Sequence, residues 1–156
     1  MNTQVKQKIY RAAALTFEEL GLLLPMEEDE ESAADRRSDI AVCVDFTGPF
    51  SGSMVMKATA DLLAALAANM LGVCETPSPD EQRDALGEAA NVVSGNLLPA
   101  IAEDEIFHLD APRLLEDIDD QASCKGDPVA DIHIVLDEGS ADVLLFVKDG
   151  IPALKE

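Results

Sequence analysis

Apolar residues recur every three or four positions through Val5, Ile9, Ala12, Ala13, Leu15 and Leu20, with Phe17 on the same side. That period predicts an amphipathic helix over residues 3–20, stopped at Gly21. Leu22 to Pro25 reads as the start of a strand. A period of two takes over from Asp39 to Thr47, with Ile40, Val42 and Val44 on one face, and predicts a strand. Gly48-Pro49 supplies a turn and Ser51 to Ala58 a second strand, so the pair reads as a hairpin. Thr59 is placed to cap a helix carrying Leu62, Leu63, Leu66, Ala67 and Met70 and ending at Gly72.

After a loop from Glu75 to Pro79, a long central helix is predicted from about Asp80, and its two sides differ. Leu86, Ala90, Val93 and Leu97 form an apolar stripe, whereas Asp84, Glu88 and Asn91 stack on a polar one. Pro99 lacks a backbone donor and crowds the preceding turn, so the helix should kink or end near Leu98. Phe107 to Leu109 is short and apolar, Asp110-Ala-Pro112 turns the chain, and Arg113 to Asp119 is predicted to add a helical turn. Ile132, Ile134 and Leu136, then Val143, Leu145 and Val147, predict two closing strands joined at Asp137-Glu-Gly-Ser140. This order gives an α+β fold, a largely antiparallel sheet covered by long helices, in a single domain over 1–156.

Composition narrows the partners. A length of 156 residues with 47% apolar side chains suits one folded domain. The 31 acidic and 11 basic residues leave a net charge of −20. Nucleic acid and anionic membrane surfaces are therefore poor partners, and one with local positive charge is favoured. No apolar run reaches the roughly 20 residues of a spanning helix, and the first residues show no cleavable leader pattern. Cys43, Cys74 and Cys124 are odd in number and far apart, which argues against a disulfide framework or zinc site and for a reducing cytoplasm. Glu27, Glu28, Asp29, Glu30, Glu31 and Asp35 make an acidic loop over about 27–38; without the spaced ligands and turn glycine of a calcium loop, it reads as solvated.

Little in the sequence suggests other chemistry. His108 and His133 are isolated, and His133 falls in a strand pattern as a structural residue. Gly48 to Gly52 lacks the lysine and spacing of a phosphate loop. The polar stripe holds a carboxylate and a carboxamide one turn apart on a rigid element, although any solvated helix face offers as much.

The stripe gains meaning from its surroundings. An acidic residue, then Glu, then Asn three positions later, with a proline further on, are met here as Asp84, Glu88, Asn91 and Pro112. The stretch Glu88-Ala-Ala-Asn91-Val-Val-Ser-Gly95-Asn96 carries a Gly-Asn pair after the Asn. Thr16-Phe17-Glu-Glu-Leu20, Gly52-Ser-Met-Val-Met and Ala67-Ala-Asn-Met-Leu71-Gly72 add matching flanks. Together these resemble the chemotaxis phosphatase family of CheC, CheX and FliY, and CheX most. Pro112 lies slightly closer to Asn91 than in the family pattern. Pro99 interrupts a helix expected to continue, and the charged segment after Pro112 looks helical where an extended one is expected.

Family members remove phosphate from the phospho-aspartate of a response-regulator receiver domain. The resemblance implies that Glu88 pairs with the receiver's lysine and that Asn91 orients the attacking water. Asp84 becomes a partner-facing neighbour of Glu88, its plainer role being a solvated carboxylate early in the helix. Gly95, Asn96 and Pro112 are expected to give structural support. No cofactor or metal is expected on this chain, Mg2+ belonging to the receiver. A homodimer is expected in the same way. Glu18 and Glu19 lack an Asn three residues on, which predicts one active site per chain. The rival readings are a non-catalytic receiver-binding module using the same helix, and a structural component of a flagellar switch or chemosensory array.

Overall fold

The computed structural model describes residues 3–26, 40–102, 105–115 and 124–148; the acidic run and residues 116–119 of the expected helical turn lie outside them. Among these residues are the helices α1 (Thr3–Gly21), α2 (Ala60–Leu71) and α3 (Pro79–Ile101). The strands are β1 (Ile40–Thr47), β2 (Gly52–Ala58), β3 (His108–Leu109), β4 (Arg113–Leu114), β5 (Asp127–Leu136) and β6 (Gly139–Val147). They form one antiparallel sheet in the order β3-β1-β2-β6-β5, with β4 also on β1. The α+β expectation holds, including both hairpins. β1 and β2 pair from Ile40↔Ala58 to Phe46↔Gly52, and β5 and β6 close tightly through Asp137-Glu138 with Leu136 opposite Gly139.

The alternation along β1 sends Val42, Val44 and Phe46 into a core shared with Met54, Met56, Val143 and Leu145 of the same sheet face. Val5, Ile9 and Phe17 of α1, Leu62, Leu63 and Leu66 of α2, and Leu86, Ala90, Val93 and Leu97 of α3 cover it. Each fully buried side chain of this kind contributes about 1.5–3 kcal/mol of transfer free energy, so this packing rather than helix propensity fixes α3 in place. The other face of the sheet carries a smaller cluster of Ala41, Cys43, Val55, Leu115 and Phe146.

The structure corrects several expectations. Arg113 and Leu114 are not helical: they pair with β1, Arg113 opposite Cys43 and Leu114 opposite Val42. Ladder hydrogen bonds and the burial of Leu115 outweigh a local apolar spacing that suits a helix. β3 and β4 lie along the same edge of β1 and act as one interrupted edge strand. Its break contains Pro112, a residue that donates nothing to a ladder. The helix-like reading after Pro112 thus gives way to the extended segment of the family pattern, as far as Leu115.

Leu15 is exposed rather than on the apolar side of α1. Gly21 does not supply the left-handed turn that ends α1; Leu22 does, at φ 54°. Gly21 instead packs closely, since a Cβ there would sit 2.7 Å from Leu66 Cδ1 and that side chain would have to shift. From Leu22 to Pro25 the chain makes only a bridge, Pro25 to Leu136.

Candidate functional site

α3 begins at Pro79, within one residue of the expected start near Asp80. Ser78 is the N-cap, its Oγ accepting from Glu81 N while the Glu81 carboxylate accepts from Ser78 N, and Pro79 occupies the first turn. The helix also continues past Leu98, through Pro99 to Ile101. Gly95, whose carbonyl loses its partner to the proline ring, is exposed and can be satisfied by solvent. Lys8 of α1 donates to the Ala100 carbonyl at 2.8 Å and helps to satisfy the helix end.

The rigid helix presents Asp84, Glu88 and Asn91 to a groove of about 500 Å³. One wall is α3, with Arg83, Gly87 and these three residues. The other is the sheet edge, with Val42 of β1, Pro112, and Arg113 and Leu114 of β4. Pro112 therefore does more than turn the chain: it lies against the helix at Gly87, where a Cβ would meet Pro112 Cβ at 3.3 Å. Asp84 and Glu88 are exposed, and Asn91 is half-buried. Asn91 Oδ1 is buried yet accepts no hydrogen bond among the described residues. A carboxamide oxygen buried without a partner is costly, which sets Asn91 apart from the solvated carboxylates of its stripe. Gly95 and Asn96 lie further along the helix, both exposed, with open space beside Gly95.

The edge-strand wall is fastened at both ends. Phe107 stacks edge-on with Phe46 and Phe50, ring centroids 6.0 and 5.0 Å apart. At the other end Leu115 is buried and its N–H donates to the Ala41 carbonyl at 2.9 Å. Between them Arg113 turns to the far face of the sheet. Its Nε donates to Asp45 Oδ2 at 3.1 Å, and its Nη2 donates to Asp45 Oδ1 at 3.4 Å and to Cys43 Sγ at 3.3 Å. Ser53 Oγ donates to Asp45 Oδ1 at 2.6 Å.

Burial pushes the Asp45 carboxyl up, but hydrogen bonds from Arg113 and Ser53, with the guanidinium charge, outweigh it and hold the group below the usual carboxylate range. Its hydrogen bond to Asp45 raises Arg113 above its usual value. Burial, with the Asp45 charge, pushes the Cys43 thiol up to about 12.

Sequence reasoning brings Asp84, Glu88, Asn91 and Pro112 to this groove but misses Gly87, Leu114 and the Asp45–Arg113 pair. A glycine inside an otherwise helical run is itself a signal of close approach, and Gly87 carried it. The histidines stand apart from the groove: His133 Nδ1 lies 2.7 Å from Asp142 Oδ1, its cross-strand partner. Among the described residues no group of three or more His, Cys, Asp or Glu side chains is placed to hold a metal ion, and no helix is long and apolar enough to cross a membrane.

A search of curated proteins gave no match. Solved structures share the fold at low identity. A CheX from Desulfovibrio desulfuricans is 18% identical with a TM-score of 0.69, over 93% of this chain and 99% of that one. A CheX from Vibrio vulnificus is 18% identical with a TM-score of 0.70, over 94% and 97%. The CheX–CheY–BeF3–Mg2+ complex from Borrelia burgdorferi contributes a chain that is 16% identical with a TM-score of 0.63, over 92% and 97%. The family model described as chemotaxis phosphatase CheX matches residues 40–134, more than half of the sequence and the span that contains the groove, and the chain belongs to the CheX family.

Proposed function

We propose that this chain hydrolyses phospho-aspartate on a CheY-like receiver domain, with Glu88 and Asn91 as the working residues. The observation that carries this reading is their joint placement: an exposed carboxylate and a half-buried carboxamide, whose Oδ1 accepts nothing from the described residues, line one groove from one rigid helix. Membership in the CheX family and the pairing of CheX with CheY in the Borrelia complex support the choice of substrate.

Glu88 meets a lysine of the receiver and docks the helix; the acidic neighbour Asp84 adds to the attraction. Asn91 then holds a water in line with the phosphorus. That water attacks, the bond between phosphorus and the aspartyl oxygen breaks, and the aspartate leaves as carboxylate while the water's proton departs with inorganic phosphate. Asn91 accepts from and donates to its surroundings without acting as a base. Phosphoryl transfer asks for positioning and charge rather than covalent help, and a thousandfold acceleration needs only about 4 kcal/mol. In this reading Mg2+ is held by the receiver, and the enzyme acts as a homodimer.

The test is the decay of phosphate on purified receivers with wild-type protein, Glu88→Ala and Asn91→Ala. Accelerated decay is expected with the wild type alone, Asn91→Ala still binding the receiver and Glu88→Ala binding it weakly. Unchanged lifetimes on every receiver tested, with one of them bound, would replace the phosphatase by a non-catalytic receiver-binding module.

A further inference from the structure

The groove's second wall is an edge strand broken at a proline, an arrangement with little stiffness of its own. Side chains alternate along such a strand, and here the alternation divides two tasks. Pro112 and Leu114 line the groove opposite Glu88 and Asn91, with Leu114 48% exposed. Arg113, between them, crosses to the far face and meets Asp45 with two nitrogens, at 3.1 and 3.4 Å. Asp45 is itself fixed, because β2 carries Ser53 directly opposite and Ser53 Oγ donates to it at 2.6 Å; Ser53 Oγ in turn accepts from Lys125 N at 2.8 Å. The guanidinium therefore ties β4 through β1 to the middle of the sheet, while its neighbours face the groove.

We propose that Asp45 and Arg113 are positioning residues that set the groove's width by clamping the Pro112–Leu114 wall from behind. The proposal rests on the phosphatase reading for its consequence: the wall is the surface a receiver docks against beside Glu88, so the clamp governs docking, and the chemistry at Asn91 follows from α3. A planar guanidinium holding a carboxylate through two nitrogens restrains orientation as well as distance, which a lysine's single ammonium does not reproduce.

Three measurements on the full chain test it. Amide hydrogen exchange at Asp110 and Leu115, whose N–H groups donate to the Asp45 and Ala41 carbonyls of β1, needs no partner. Arg113→Met and Asp45→Asn are expected to speed exchange there about tenfold or more, on the scale of a lost charged hydrogen bond, with α3 amides unchanged. Steady-state turnover of a phosphorylated receiver is expected to show KM raised about tenfold and kcat within about twofold of wild type for both variants, with Arg113→Lys in between. Binding of a receiver carrying beryllium fluoride is expected to weaken by the same factor as KM rises. Unchanged exchange at the wall overturns the clamp whatever the chain's activity. A fall in kcat at constant KM overturns its role in docking. Faster exchange with no turnover and no binding by any receiver keeps the clamp and overturns the phosphatase reading instead. Should Arg113→Met fail to fold, the near-isosteric Asp45→Asn decides the matter.

Discussion

Gly87 of α3 lies under Pro112 of the broken edge strand, so closely that a methyl group on Gly87 would reach within 3.3 Å of Pro112 Cβ and 3.6 Å of its Cγ. The contact closes the floor between the helix that carries Glu88 and the wall that carries Leu114. Gly87→Ala gains about 1 kcal/mol of helix propensity and gives some of it back in crowding, so its stability should stay within about 1 kcal/mol of wild type. Gly87→Val brings branched bulk against a proline ring that cannot rotate away, and should lose about 1–3 kcal/mol. Urea denaturation measures both. A Val variant as stable as the wild type would mean that the edge strand yields freely, and that the proline is no fixed wall.

The residues facing this contact divide into those legible from the sequence and those that are not. The stripe of Asp84, Glu88 and Asn91 was legible because helical period alone places them together, and because Leu86, Ala90, Val93 and Leu97 bury the opposite side. The β1–β2 and β5–β6 hairpins were legible for the same local reason. Arg113 was not: its partner Asp45 is 68 positions away, and the pairing exists only after β1 and β4 align. The local pattern from Arg113 onward favours a helix, and non-local pairing overrode it. The start of α3 was legible to within one residue, and Ser78-Pro-Asp-Glu81, a capping box ahead of the first apolar residue, fixes it.

Asn91 sits in the helix with a buried oxygen that nothing in the described protein satisfies. A buried polar group in this condition penalises the fold. Asn91→Ala removes the unsatisfied oxygen and improves helix propensity, and should raise stability by about 0.5–1.5 kcal/mol while removing phosphatase activity. The check is a thermal melt beside the receiver assay. A destabilised Asn91→Ala would show that the carboxamide holds the fold together, which would weaken its assignment as the residue that positions water.

The cap of α3 should act on the whole site through helix fraying. Ser78→Ala removes one half of a reciprocal pair of hydrogen bonds and should lower stability by about 1 kcal/mol, with Ser78→Asp close to wild type. Exchange protection should fall in the first turn, from Glu81 to Asp84, and hold at Asn91, whose turn is covered by the core. Loss extending to Asn91 would mean that the helix opens as one unit.

The far face of the sheet should impose a pH dependence with two limbs. Asp45 is held below the usual carboxylate range, so the native state favours its ionised form. Its contribution to stability is complete above the unfolded pKa near 4 and is lost as pH falls through the lowered folded value. Asp45→Asn should therefore be less stable than wild type at pH 7, with the gap closing below about pH 4. Cys43 behaves in the opposite sense. Its thiol is pushed up to about 12, so the folded protein keeps it neutral while the unfolded chain ionises near 9. Stability should fall above about pH 9 with a limiting slope of about 1.4 kcal/mol per pH unit, and Cys43→Ala should remove that limb. The same burial should protect Cys43 from maleimide at pH 8, where the exposed Cys74 reacts. Urea midpoints from pH 3 to 10 test both limbs, and an acid limb unchanged by Asp45→Asn would place the sensitivity elsewhere among the chain's many carboxylates.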